Sequence, residues 1–134
     1  MDNRTLLEFM AVAEKLKCQV RHSWTSTGRR ESVAEHTYRL CVFAWLVRRE
    51  FPECDMDRVM EMCLFHDLGE AVHGDVPYYM KNAQDNEKEA DVIEQIASIL
   101  PEKEREELKE LFSELEDNHT QEAKIVHALD KMEA

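Results

Sequence analysis

Residues 63–70 read Cys63-Leu64-Phe65-His66-Asp67-Leu68-Gly69-Glu70, an imidazole and a carboxylate side by side inside an apolar run. Burying two such groups is costly unless something pairs with them. A divalent metal is the simplest partner, because His and Asp are both ligand types for it. Glu70 follows at i+4 from His66 and i+3 from Asp67. In a helix turning about 100° per residue it projects between them on the same face. That is where a carboxylate must lie to handle the protons of a metal-held water. Taken alone, an adjacent His and Asp is more often a capped surface pair or a satisfied core polar group, so its meaning depends on the rest of the chain.

Two other positions could complete such a site. Ser32-Val33-Ala34-Glu35 has capping-box form, so a helix starts near Val33 and carries His36 in its first turn. His36 lies one turn before Leu40 and projects from the same apolar stripe, as a hydrogen-bonded core residue or as a ligand. Thr120 can cap the last helix, where Ala123, Val126, Leu129 and Asp130 share the inward side. A carboxylate therefore points with the apolar residues. The polar stretch from Arg21 to Arg30 holds Arg21, His22, Trp24, Arg29 and Arg30. It reads either as a solvated connection with Trp24 pinned on the core, or as a loop offering cations to an anion over a pocket. Gly and Pro make His73-Gly74-Asp75-Val76-Pro77 a turn directly after the His-Asp helix. Asp75 there is a turn former or a pocket residue, and His73 a rim or structural residue. Tyr78, Tyr79, Lys81 and Asn82 continue a loop that could close over a ligand.

The elements that would position these residues are helical. A first amphipathic helix runs from about Thr5 to Lys17, with Leu6, Phe9, Met10, Ala13, Leu16 and Val20 at helical spacing. The His36 helix ends before Pro52, and Asp55 or Asp57 can cap the next. That third helix, with Val59, Met60, Met62, Cys63, Leu64, Phe65 and Leu68, is apolar on most sides and hence central. A fourth is expected over 85–100, closed by Pro101, and a fifth over 102–116 with a solvated Glu/Lys face. His119 and His127 are expected at the surface.

The chain has 134 residues, 43% hydrophobic and 34% charged, which suits one soluble globular domain. Three Gly and three Pro leave little room for strands and turns, so an all-α architecture of about six helices is expected. A net charge of -12 argues against a nucleic-acid partner and leaves room for a small phosphorylated ligand in a local basic pocket. No window is long and apolar enough to span a bilayer, and the N-terminus has no secretory character. Cys18, Cys41, Cys54 and Cys63 lack CxxC spacing and read as reduced thiols of a cytoplasmic protein.

The assembled set is His36, His66, Asp67 and Asp130. This His…His-Asp…Asp order resembles the motif of the HD-domain metal-dependent phosphohydrolases, and the chain is similar to their 5′-deoxynucleotidase branch. The matching stretches are Glu31-Ser32-Val33-Ala34-Glu35-His36, His66-Asp67-Leu68-Gly69-Glu70, Gly74-Asp75-Val76-Pro77 and Leu129-Asp130. The resemblance implies an all-helical domain with a divalent metal between these helices and catalytic assistance from Glu70 and Asp75. It places Arg21 at a position that meets the substrate phosphate.

The expected reaction is hydrolysis of a nucleoside 5′-monophosphate by a metal-activated water. Glu70 would move protons, and Arg21, with Arg29 or Lys81, would offset phosphoryl charge. Mixed imidazole and carboxylate ligands suit Mn, Co, Fe, Ni or Zn. The alternatives are an HD hydrolase of another regulatory nucleotide and a non-catalytic metal or nucleotide sensor. Two departures from the family pattern are visible. His22 stands where the relatives carry a Trp thought to exclude a 2′-hydroxyl, with Trp24 two positions on, so a weaker deoxyribose preference is expected. The chain also ends four residues past Asp130, where relatives usually continue into helices that complete the core or a homodimer contact.

Overall fold

The computed structural model describes the backbone of residues 1–73 and 83–134, with side chains at 1–72 and 89–134. Gly74, Asp75, the rest of the turn to Pro77, and the loop with Tyr78, Tyr79, Lys81 and Asn82 lie outside the described residues, as does the His73 side chain.

Among the described residues, six helices of ten residues or more form the architecture: α1 (Asn3–Glu14), α2 (Val33–Val47), α3 (Met56–Phe65), α5 (Ala83–Ala97), α6 (Glu102–Asp117) and α7 (Gln121–Glu133). A one-turn α4 (Glu70–His73) follows α3. The fold is all-α, as the scarcity of turn residues suggests. Four of the six long helices begin where the sequence supplies an acceptor for their orphan N–H groups, while α6 starts after Pro101 without a side-chain cap. Asp2 caps α1, Ser32 caps α2 with a complete capping box to Glu35, Asp55 caps α3 and Thr120 caps α7.

α2, α3 and α7 pack against one another. Val33, Leu40 and Ala44 of α2, Val59, Met62 and Cys63 of α3, and Val126 and Leu129 of α7 supply the central core. At about 25 cal/mol per Å² of apolar area removed from water, such side chains stabilise the trio by ~1.5–3 kcal/mol each. The helices that carry His36 and Asp130, together with α3, which ends just before His66 and Asp67, are therefore the three that the core clamps together.

The segment after α1 differs from a loop. Val20–Trp24 and Arg30–Ser32 form a two-stranded antiparallel hairpin, β1 and β2, with Trp24 opposite Arg30 and an irregularity between Val20 and Trp24. Its five-residue connection closes through Gly28 N–H to Thr25 O at 3.0 Å and Thr25 N–H to Arg29 O at 2.7 Å. Gly28 takes φ +87°, a conformation open to glycine at little cost. Val20, His22 and Trp24 are exposed on one face, and Arg21 and Ser23 are half-buried on the other, as strand alternation requires.

Two further differences have local causes. α3 stops at Phe65 instead of continuing through Leu68. The Cys63 carbonyl, whose helical partner would be the Asp67 N–H, accepts instead from His66 Nδ1 at 2.7 Å. The chain then tightens into i→i+3 bonds, Leu68 N–H to Phe65 O at 3.0 Å and Glu70 N–H to Asp67 O at 3.0 Å. In α1, Phe9 and Val12 turn inward, whereas Leu6 and Met10 are exposed, so its apolar stripe is narrower than the spacing suggests.

Candidate metal centre

Four side-chain atoms from α2, the turn after α3, and α7 converge. His36 Nε2 lies 2.7 Å from Asp130 Oδ1, 3.3 Å from His66 Nε2 and 3.7 Å from Asp67 Oδ2. His66 Nε2 lies 2.9 Å from Asp67 Oδ2 and 3.4 Å from Asp130 Oδ1. The capping box starts α2 so that His36 turns inward one residue later, where it is fully buried. Asp130 follows from the Thr120 cap and the helical period of α7. The Cys63 carbonyl, a pure acceptor, fixes the His66 proton on Nδ1 and leaves Nε2 facing the cluster.

The electrostatics are those of a buried charge cluster. Burial lowers the pKa of both imidazoles, but the carboxylates outweigh it. Asp67 and Asp130 hold His66 well above its ordinary value, and Asp130 with Glu133 raises His36 against the opposing Arg21 and His66. Burial also pushes Asp67 and Asp130 up, yet His66 and His36 bring both below the usual carboxylate range. Arg21, largely buried, donates from Nε to Glu31 at 3.1 Å and sets Nη1 3.6 Å from Asp67 Oδ2.

The residues fit a divalent cation. Asp67 Oδ2 is buried and accepts no well-formed hydrogen bond, although both Nε2 atoms stand near it. Bonds of about 2.1 Å to an octahedral ion set neighbouring ligand atoms about 3 Å apart. The observed separations of 2.7 to 3.7 Å bracket that value. His36, His66 and Asp67 form a group whose ligand atoms all lie within 4.8 Å of one another. Burial pushes the Cys63 thiol up to about 12.

The other sequence candidates distribute unevenly. Glu70 opens α4 one tight turn after Asp67 and is buried. Its place there comes from the i→i+3 turn rather than from a continuous helix. Arg21 reaches the cluster because the strand period turns it inward. Arg29 instead makes a two-pronged pair with Glu35, at 2.9 and 2.6 Å, at the surface. Arg30 bonds the Arg21 carbonyl at 2.8 Å. Trp24 is 68% exposed on the opposite face of β1 from Arg21. It borders a surface groove with Arg29, Glu35, Tyr38 and Arg39, so neither Trp24 nor Arg29 joins the four-residue cluster. Asp75 and Lys81 lie outside the described residues. His127 is half-buried rather than exposed, with Nε2 donating to Leu115 O at 2.8 Å.

One residue was missed. Glu133 is buried, its Oε2 against His36 Nδ1 and its Oε1 3.4 Å from Arg39 Nη1. The available signal was its i+3 spacing from Asp130, which puts a second carboxylate on the inward face of the last helix.

The chain is similar to several known proteins. A family model described as HD domain matches residues 13–134. Human 5′-deoxynucleotidase HDDC2 is 34% identical over 134 residues, covering 97% of this chain and 65% of the human protein. The Dictyostelium discoideum protein of the same name is 32% identical, covering 95% of this chain and 72% of its own length. The chain thus spans less than two thirds of the length of the human relative. A solved Magnetospirillum magnetotacticum protein, titled a predicted metal-dependent phosphohydrolase, superposes with a TM-score of 0.86. It is 28% identical, with 96% of this chain and 66% of that chain covered.

Proposed function

The chain belongs to the HD-domain family, and on that premise we propose that it is a metal-dependent phosphomonoesterase acting on nucleoside 5′-monophosphates, with a preference for the deoxy form. The observation that carries this reading is the convergence of His36, His66, Asp67 and Asp130 with the guanidinium of Arg21 at their edge. The similarity to proteins named 5′-deoxynucleotidases supports the substrate class.

When bound, a divalent ion supplies Lewis acidity toward a phosphoryl oxygen and lowers the pKa of water. The four side chains would hold it, with Mn, Co, Fe, Ni or Zn all compatible with this mixed donor set. Arg21 binds the phosphoryl group and offsets its charge, since Glu31 engages Nε and leaves other guanidinium N–H groups to face substrate. Glu70, buried one turn after Asp67, carries protons between water and leaving group. Asp75 assists in the same chemistry on the strength of the Gly74-Asp75-Val76-Pro77 match. Four cysteines without a disulfide support a cytoplasmic setting. No helix among the described residues is long and apolar enough to cross a membrane.

The test is phosphate release from matched ribo- and deoxyribonucleoside 5′-monophosphates with each metal in turn. Turnover in at least one metal, with kcat/KM higher for the deoxy series, is the expected result. Equal values would remove the deoxy preference, which Trp24, exposed and turned away from Arg21, does little to enforce. Stoichiometric metal uptake without turnover on any monophosphate would overturn the monophosphatase reading in favour of a hydrolase of another nucleotide or a sensor.

A further inference from the structure

α7 presents two carboxylates, one turn apart, to the two nitrogens of a single ring. Asp130 Oδ1 faces His36 Nε2 at 2.7 Å, and Glu133 Oε2 meets His36 Nδ1. The Glu133 side chain is 1% exposed. A carboxylate so deeply buried costs several kcal/mol unless it is paired. Its partners are His36 and, more weakly, the exposed Arg39 guanidinium at 3.4 Å. Glu31, whose ligand atom lies within 4.8 Å of those of His36 and Glu133, is held by Arg21 at 3.1 Å.

A neutral imidazole carries one proton, and the nitrogen that holds it cannot offer a lone pair. A carboxylate can only accept from Nδ1. Asp130 accepts in the same way at Nε2, so a cation there takes the place of the Nε2 proton, and Glu133 keeps the remaining one on Nδ1. His66 reaches the same state through the Cys63 carbonyl. The two rings are thus oriented by different means, one by a neutral backbone acceptor and the other by a charged side chain. The charged acceptor also makes His36 the more basic donor toward a cation.

We propose that Glu133 is a positioning residue that fixes the proton of His36 on Nδ1 and thereby holds Nε2 as a cation ligand. The inference rests on the metal-site reading given above. It is tested with Co²⁺ as the probe on the full chain. Ring N–H protons of Co²⁺-bound histidines resonate far outside the diamagnetic range and are visible in water only when a hydrogen bond protects them from exchange. The unmodified protein should show two such signals that vanish in D₂O, one from His36 and one from His66. Glu133→Gln, which keeps shape but removes charge, should shift or broaden the His36 signal and leave the His66 signal in place. Co²⁺ affinity should fall about 10–100-fold. A merely structural Glu133 would change thermal stability without moving one signal selectively.

Glu133→Gln with both signals unmoved and affinity within twofold of the parent would overturn the proposal. If that variant does not fold, the unmodified protein still decides: a spectrum with the His66 signal alone overturns it. An unmodified chain that takes up no Co²⁺ overturns the metal-site reading and this inference together. Uptake with an unprotected His36 proton overturns this inference only.

Discussion

Replacing Asp67 with Ala separates two contributions that the structure superimposes at one carboxylate. Asp67 Oδ2 faces His66 Nε2 at 2.9 Å, Arg21 Nη1 at 3.6 Å and His36 Nε2 at 3.7 Å. The first contribution belongs to cation binding. A divalent ion at 100 times its Kd stabilises the form that binds it by about 2.7 kcal/mol. For 134 residues, an unfolding entropy of ~2.1 cal/mol/K per residue amounts to ~0.28 kcal/mol/K, so the parent Tm should rise by about 10 °C. Residues that only support a metal ligand are worth about 10–100-fold in affinity, so losing a ligand should cost at least ~100-fold. At the same ion concentration the variant then keeps about 0.4 kcal/mol, or ~1.5 °C. The second contribution is independent of metal. Truncation removes the negative charge that faces His66 and Arg21 and so should lower the metal-free Tm. Thermal melts of chelator-treated parent and variant, each titrated with Co²⁺ or Mn²⁺, resolve both. The difference between metal-free Tm values gives the second, and the ion-dependent rise gives the first. A variant that retains the full rise, or stoichiometric metal by elemental analysis, refutes Asp67 as a ligand.

Glu70→Gln should keep the ion-dependent rise in Tm and lose about 10²–10⁴-fold in phosphate release, the usual worth of a proton-transfer group. Loss of metal together with turnover would instead make Glu70 a ligand. Arg21→Ala should raise KM and lower kcat together, with kcat/KM down by about 10–150-fold, the worth of one charge-assisted hydrogen bond. An unchanged kcat/KM would remove Arg21 from the phosphate site. In the metal-free protein His36 and His66 have raised pKa values, so their stabilising contribution is complete below about pH 6.5 and is lost as pH rises through the folded values. Asp67 and Asp130 have lowered values, so theirs is present above about pH 3.8 and is lost as pH falls through the folded values. Metal-free stability should therefore peak between these limits. Because the cation must displace the histidine protons, its affinity should rise with pH until the raised folded values are passed, as calorimetry across pH would show. An affinity that is flat from pH 6 to 8 would contradict the charged cluster.

The sequence by itself determined what depends on local period. Ser32 and Glu35 cap α2, the helical repeat turns His36 and Asp130 inward, and the apolar surroundings of His66 and Asp67 mark α3 as central. Each of these follows from residues within a few positions of one another. Glu133 was within reach of the same reasoning, one turn past Asp130, but its meaning depends on His36, 97 residues away. Nothing local says which nitrogen of which ring it will meet. The hairpin was hidden for a related reason. Its residues are polar enough for a loop, and strand pairing is stabilised by partners ten residues apart, such as Arg21 and Glu31. Only that pairing decides that Arg21 turns toward Asp67 while Arg29 is taken by Glu35 and Trp24 faces outward. The end of α3 was likewise settled by competition: the His66 ring takes the Cys63 carbonyl that the next helical turn would need. Side-chain type and periodicity set which groups face the core. The tertiary structure set which of those groups meet, because contacts between distant segments depend on how α2, α3 and α7 pack.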